Sequence, residues 1–161
     1  MEDSASLLGR LADGLISRYG EHRYDDELTL ARDLYCERRG RVFEDDAEWE
    51  RFSSAFLEWY VTERPWRDTG KVPAMLAAAD EEDERHRAGL LAWAHGQRGL
   101  ALILGLVPGG VEVRDLVGGA HFLVAEERNL AGVDVGDVVE VRLVGFEEQV
   151  HFGRTFVYHP A

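Results

Sequence analysis

The chain has 161 residues, 45% of them hydrophobic and 30% charged, and carries a formal net charge of −13. That size and mix suit a globular chain with one core or two small ones, and exclude a disordered one. The acidic excess weighs against phosphate backbones and anionic membranes as partners, because nucleic-acid affinity rests largely on neutralising phosphates.

Cys36 is the single cysteine, which excludes an intramolecular disulfide and any cysteine-rich zinc site. It lies within "ARDLYCERRG", a helical pattern, and reads as a small core-facing residue. The opening "MEDSASLLGR" is acidic and has no basic region ahead of an apolar stretch, so no signal peptide is expected. No run approaches the ~18 apolar residues of a membrane span, and the expected location is the cytoplasm.

Up to Gly96 helical periodicity dominates. Beyond it, β-branched residues, alternation and glycine-rich turns take over. Leu8, Leu11, Ala12, Leu15 and Ile16 recur at helical spacing, and Gly20 is a natural stop. A second helix begins at Asp25 or Asp26, with Leu28, Ala31, Leu34 and Tyr35 as its apolar face. Asp46 is expected to cap a third, whose stripe of Trp49, Phe52, Phe56 and Trp59 or Tyr60 is halted by Pro65. "WRDTGKVPAM" is the main loop, after which Pro73 opens a short helix through Ala79. In "DEEDE" (80–84), Asp80 is expected to cap a last helix that buries Ala88, Leu91 and Ala92, while the other acids favour its positive end.

The remainder reads as strands. "GLALILGLV" (99–107) turns through "PGG" into "VEVRDL" (111–116), and "VGG" leads to "AHFLVAEE" (120–127). After the connector "NLAGVDVGD", the alternation predicts Val139, Val141 and Leu143 facing the core and Glu140 and Arg142 facing water. "EEQ" (147–149) turns the chain into "VHFGRTFVY" (150–158). Short glycine-rich turns between successive strands predict an antiparallel meander or a small open barrel.

Motifs of catalysis and nucleotide binding are missing: there is no G-x-S-x-G, no P-loop, no H-E-x-x-H, and the glycine pairs fall in hairpins. Asp83 and His86 have the i, i+3 spacing of di-metal helical bundles but lack a second carboxylate–histidine pair. Among the strand histidines, His151 and His159 are ~26 Å apart along a regular strand, too far to share a metal. His121, His151 and His159 are expected to face water or cap the end of the barrel. Trp66 stands apart from the helical aromatics. It follows Pro65 in a loop between Arg64 and Arg67, where it is either an exposed binding residue or a plug between helices and sheet.

Three stretches, "FLEWYVTERPW", "VEVRDLVGGAHFLVAEE" and "LAGVDVGDVVEVRLVGF", together resemble uncharacterised bacterial proteins that pair a helical region with a small β-domain. The shared features are Phe56, Glu58 and Trp59 in the helical part, then Arg114-Asp115-Leu116 and the Gly136-Asp137 turn in the β-part. A related group carries a cysteine-rich, metal-binding tail, the SEC-C motif, whereas "TFVYHPA" here has no such cysteines. The resemblance covers about residues 30–161 and implies an architecture rather than an activity.

These readings predict an α+β protein: about five helices over 1–96, packed on a small antiparallel β-domain over 97–161, the two forming one unit. The function they favour is a non-enzymatic cytoplasmic adaptor that docks an apolar or basic segment of another protein, with Trp66, Arg64 and Arg67 as candidate partner-binding residues. Further candidates on the sheet are His121, Arg142, His151 and His159. Two alternatives stand beside it. One is a small barrel binding nucleic acid or nucleotide, opposed by four arginines against nine acids from residue 100 onward. The other is an enzyme with a dispersed site, His151 or His159 with a carboxylate. No catalytic residue, metal or cofactor is assigned.

Overall fold

In the computed structural model, which describes residues 1–159, the chain falls into two units divided after His95. The first is helical. Asp3 starts α1 (Ser4–Tyr19) by accepting from the Ser6 amide at 2.9 Å, and buries Leu7, Leu8, Leu11, Ala12, Leu15 and Tyr19 on one stripe. A 3-10 turn over His22–Tyr24 leads into α2 (Asp25–Arg39), whose first turn holds three acids at the positive end of the dipole. Only Ala31 and Tyr35 of α2 are buried, so this helix is thinly packed. α3 (Trp49–Thr62) buries Phe56 and Tyr60, and α4 (Pro73–Asp80) begins on Pro73, where the missing N–H costs nothing.

Two helix starts differ from the sequence reading. Asp46 lies outside α3 and closes a tight turn before it, accepting from the Glu48 amide at 3.0 Å. Asp80 ends α4, and the last helix α5 (Glu84–His95) is capped instead by Asp83, which accepts from the His86 amide at 2.9 Å. The buried face of α5 is Gly89, Leu90 and Trp93 in place of Ala88, Leu91 and Ala92, because Trp93, the largest apolar side chain, is the one that docks on α1, donating to the Leu8 carbonyl.

The second unit is a five-stranded ring: β1 (Gln97–Val107), β2 (Gly110–Asp115), β3 (His121–Ala125), β4 (Val138–Phe146) and β5 (Gln149–His159), in the order β1-β2-β3-β5-β4 and back to β1. The α+β layout is therefore as expected, but the ring is closed and is not a simple meander. β1 makes the closure possible. It has eleven residues and a bulge between Ile103 and Gly105, so its first half pairs with β4 and its second with β2. β5 then inserts between β4 and β3 and runs parallel to β3, through Val124–Val150 and Ala125–His151.

Ala101, Ile103, Val111, Val113, Val124, Val139, Val141 and Phe152 fill the ring, with Val133 of the connector packed on them. Two glutamates, Glu147 and Glu148, make the turn between β4 and β5 at φ 49° and 62°, a left-handed conformation that side chains rarely adopt.

The alternation in β4 slips at Arg142. The β4–β5 register shifts between Val141 and Leu143, and beyond it Val144 and Phe146 are the buried residues. Arg142 does not face water as its sequence position suggests. It is 0% exposed and donates to the Gly96 carbonyl at 2.6 Å.

Candidate functional site

Beyond its C-terminal glycine, Gly40, α2 gives way to a charged loop, residues 40–48, that contains one apolar pair, Val42 and Phe43. Phe43 is 64% exposed. The loop, α2 and the start of α3 enclose an open groove of about 520 Å³. Its apolar lining is Cys36, Val42, Phe43, Trp49 and Phe52. Its charged lining is Arg32, Asp33, Arg41, Glu44 and Asp45, three acids against two bases. A second groove, of about 500 Å³, shares Asp33, Cys36 and Arg41 and continues along α2 past Leu30, Leu34 and Glu37.

Local sequence explains the groove. α2 lacks the apolar residues to bury more of its surface, and Trp49 and Phe52 at the start of α3 stack on one another with centroids 6.4 Å apart. The aromatic stripe of α3 thus serves two purposes. Phe56 and Tyr60 are core, while Trp49 and Phe52 are half-buried and line the groove. Cys36 is half-buried at the groove's edge rather than in the core.

The loop candidates occupy a different place and do not form one exposed patch. Trp66 is half-buried, its ring edge-on to Tyr19 at 5.3 Å and tilted against Tyr24 at 5.1 Å. Its indole N–H is directed at the Tyr60 hydroxyl, without reaching strict hydrogen-bond geometry. Burial pushes the Tyr60 hydroxyl up to about 12, against the opposing donation from Trp66. Arg64 is buried and donates to Glu27 at 2.5 Å, and only Arg67, 3.7 Å from the same carboxylate, is exposed. Trp66 is a plug within the helical unit, and the two arginines face α2.

On the barrel, the four candidates separate. His121 and His159 are exposed, on β3 and at the end of β5. Arg142 is buried, as described. His151 is 5% exposed, which corrects the water-facing expectation, and its charge acts on Glu126 at the end of β3. Burial raises the Glu126 carboxyl, but hydrogen bonds from the Arg128 side chain and amide, with the charges of Arg128 and His151, hold it below the ordinary carboxylate value. With its oxygens fixed by Arg128, Glu126 is already engaged, which is poor design for a general base.

That arrangement has a consequence for acid stability. A carboxyl lowered by folding stabilises the protein fully above its ordinary value of 4.5, and the contribution fades as pH falls through the folded-state value. Glu126→Gln is expected to cost about 1 kcal/mol near neutral pH, a figure discounted because Arg128 is half-exposed. It should also flatten the acid limb below pH 4.5. Urea unfolding across that range measures both, and an unchanged acid limb would show that Glu126 is not the group responsible.

The barrel's connectivity is that of five-stranded Greek-key barrels of the OB type, which hold ligands on the face of strands 2 and 3 and in neighbouring loops. Oligonucleotide binders place aromatics and cations there. Here Phe146 and Phe152 are buried and Arg142 is inaccessible, while the outer residues of β2 and β3 are Glu112, Arg114, His121 and Leu123. Among the described residues no cluster of three histidine, cysteine, aspartate or glutamate side chains could hold a metal, and no helix is long and apolar enough to cross a membrane.

No family model, curated protein or solved structure matches the chain. The groove was the feature that sequence reasoning missed. Its trace in the sequence is Val42-Phe43 in "RGRVFEDD", an apolar pair where a solvated loop needs none.

Proposed function

We propose that the protein is a non-enzymatic adaptor whose helical unit binds an apolar segment of a partner protein, flanked by basic residues, in the groove between α2, the 40–48 loop and α3. One observation carries the reading: Val42, Phe43, Trp49 and Phe52 line a groove of about 520 Å³, with Phe43 64% exposed at its edge. An aromatic of that size left mostly in water gains little from burial in the free chain, and it suits an interface anchor. Acids outnumber bases at the rim and across the chain, which steers a basic segment toward the site and repels an acidic one. An amphipathic helix with anchors at i, i+3 or i+4 and i+7 is the segment such grooves take.

The nucleic-acid alternative has the barrel's connectivity in its favour, but Phe146, Phe152 and Arg142 are buried, which leaves Arg114 as the one arginine on the outer face of β2 and β3. The enzyme alternative rests on His151 and Glu126, and the latter is held by Arg128.

Selection from a displayed random-peptide library on the full chain tests the proposal. Recovered peptides are expected to share apolar anchors with lysine or arginine flanks, and Phe43→Asp should weaken them about 30-fold, the loss of one anchor of about 2 kcal/mol. Phe43 is exposed, so the variant should fold as the parent does. Peptides without that consensus, or bound equally by Phe43→Asp, would overturn the reading.

A further inference from the structure

The outer surface of β1, β2 and β3 has a composition unlike the rest of the molecule. Of the eleven exposed large hydrophobics among the described residues, seven fall on these strands or the loop that follows β2: Leu100, Leu104, Val107, Leu116, Val117, Leu123 and Leu106, the last opposite core Val111 and so on the inward row. Strand register sets out the rows that face outward. Leu102, Arg114 and His121 form one, and Gly105, Glu112 and Leu123 the next. A side chain built at Gly105 would meet Glu112 at 3.0 Å, and one at Gly110 would meet Leu123 at 3.0 Å and Val107 at 3.5 Å, so Glu112, Leu123 and Val107 lie over this face. Leu123 is 62% exposed.

Its charge is as informative as its apolarity. The chain has 31 acids against 18 bases, yet these two rows hold one acid, Glu112, and one base, Arg114. A basic partner steered by the acidic surface would find no excess of acid here, and an acidic or nucleic-acid partner would find no excess of base. A second copy of the chain finds its own complement.

We propose that this face is where a second copy of the chain docks. A two-fold axis running across the strands, between the two rows, places Glu112 of each copy against Arg114 of the other, as an isologous contact requires. The same operation sets Leu123 of each copy against His121 of the other. Two sheets packed face to face lie ~10 Å apart, within reach of a glutamate–arginine pair. Apolar contact supplies the attraction and the paired charges fix the register. Because self-repulsion from the net charge of −13 opposes association everywhere else, the locally neutral face is the place where two copies meet at least cost.

Sedimentation of the full chain across a range of concentrations tests this. The wild type is expected to dimerise, Leu123→Asp to be monomeric, and Glu112→Arg and Arg114→Glu each to weaken the dimer at least tenfold. The double exchange, Glu112→Arg with Arg114→Glu, should restore it. All these positions are exposed, and circular dichroism checks that each variant folds. A wild type monomeric at every concentration, as expected if the face belongs to a different protein, overturns the proposal. So does a double exchange no stronger than the single ones. Phe43→Asp serves as the control: it should remain dimeric, so that failure of the groove reading and failure of this one are told apart.

Discussion

Replacing Trp93 with alanine is expected to lower the stability of the helical unit by about 4 kcal/mol. The side chain is 2% exposed and stands on α5, whose only other buried residues are Gly89 and Leu90. A helix with so narrow an apolar face depends on its largest member for attachment. Trp93 also donates its indole N–H to the Leu8 carbonyl of α1 at 2.9 Å, so one residue supplies both apolar contact and a directional tie. The two contributions separate by substitution. Trp93→Phe keeps most of the apolar contact and loses the donor, and should cost about 1–2 kcal/mol, whereas Trp93→Ala adds a cavity. Urea unfolding followed by helical circular dichroism gives both values. Equal costs would mean that the hydrogen bond, not the packing, holds α5.

What was legible in the sequence follows from how local each cause is. α1, α3 and α4 are set by neighbours in the chain: apolar residues at helical spacing, Gly20 after the last turn, Pro73 at the first. The β1–β2 turn is equally local, because Pro108 and Gly109 supply the bend, with Gly109 at φ 72°. Two later features are set across the fold instead. β5 lies beside β3 because β1 is long enough to bridge β2 and β4, and no short stretch of sequence encodes that reach. Arg142 is turned inward by a register shift against β5, while in the sequence it continues a regular alternation.

The candidate site was less legible than the fold, for a related reason. Sequence neighbours leave Trp66, between two arginines, as either an exposed binding residue or a plug between helices and sheet. In space it meets Tyr19 and Tyr24, more than forty positions earlier in the chain. Phe43 is the converse case. Its surroundings are as charged as they look, and the residue is left in water because α2 has too few apolar side chains to cover it. An apolar residue that the fold fails to bury is invisible to periodicity, since periodicity assigns every such residue to a face.

Glu27→Ala is expected to cost about 3 kcal/mol, well above the usual worth of a surface ion pair. Glu27 accepts from Arg64 at 2.5 Å, and the two side chains are 15% and 8% exposed. Removing the carboxylate leaves a guanidinium that has lost its water and gained nothing in return, which is the costly way to break such a pair. The reverse deletion is milder, because Arg67 lies 3.7 Å from Glu27 and remains as a second cation when Arg64 becomes methionine. Replacing both, Glu27→Ala with Arg64→Met, should recover most of the loss, giving a coupling of about 2 kcal/mol in a double-mutant cycle. Equal costs for the two single changes would show that Arg67 takes no part, and a cost below about 1 kcal/mol for Glu27→Ala would show that water reaches Arg64. None of Glu27, Arg64, Trp66 or Arg67 lines either groove, so peptide binding should survive each change that leaves the chain folded. Stability and the proposed binding then move on separate residues: the loop after α3 fastens the helical unit together, and the loop before it carries the groove proposed to take a partner.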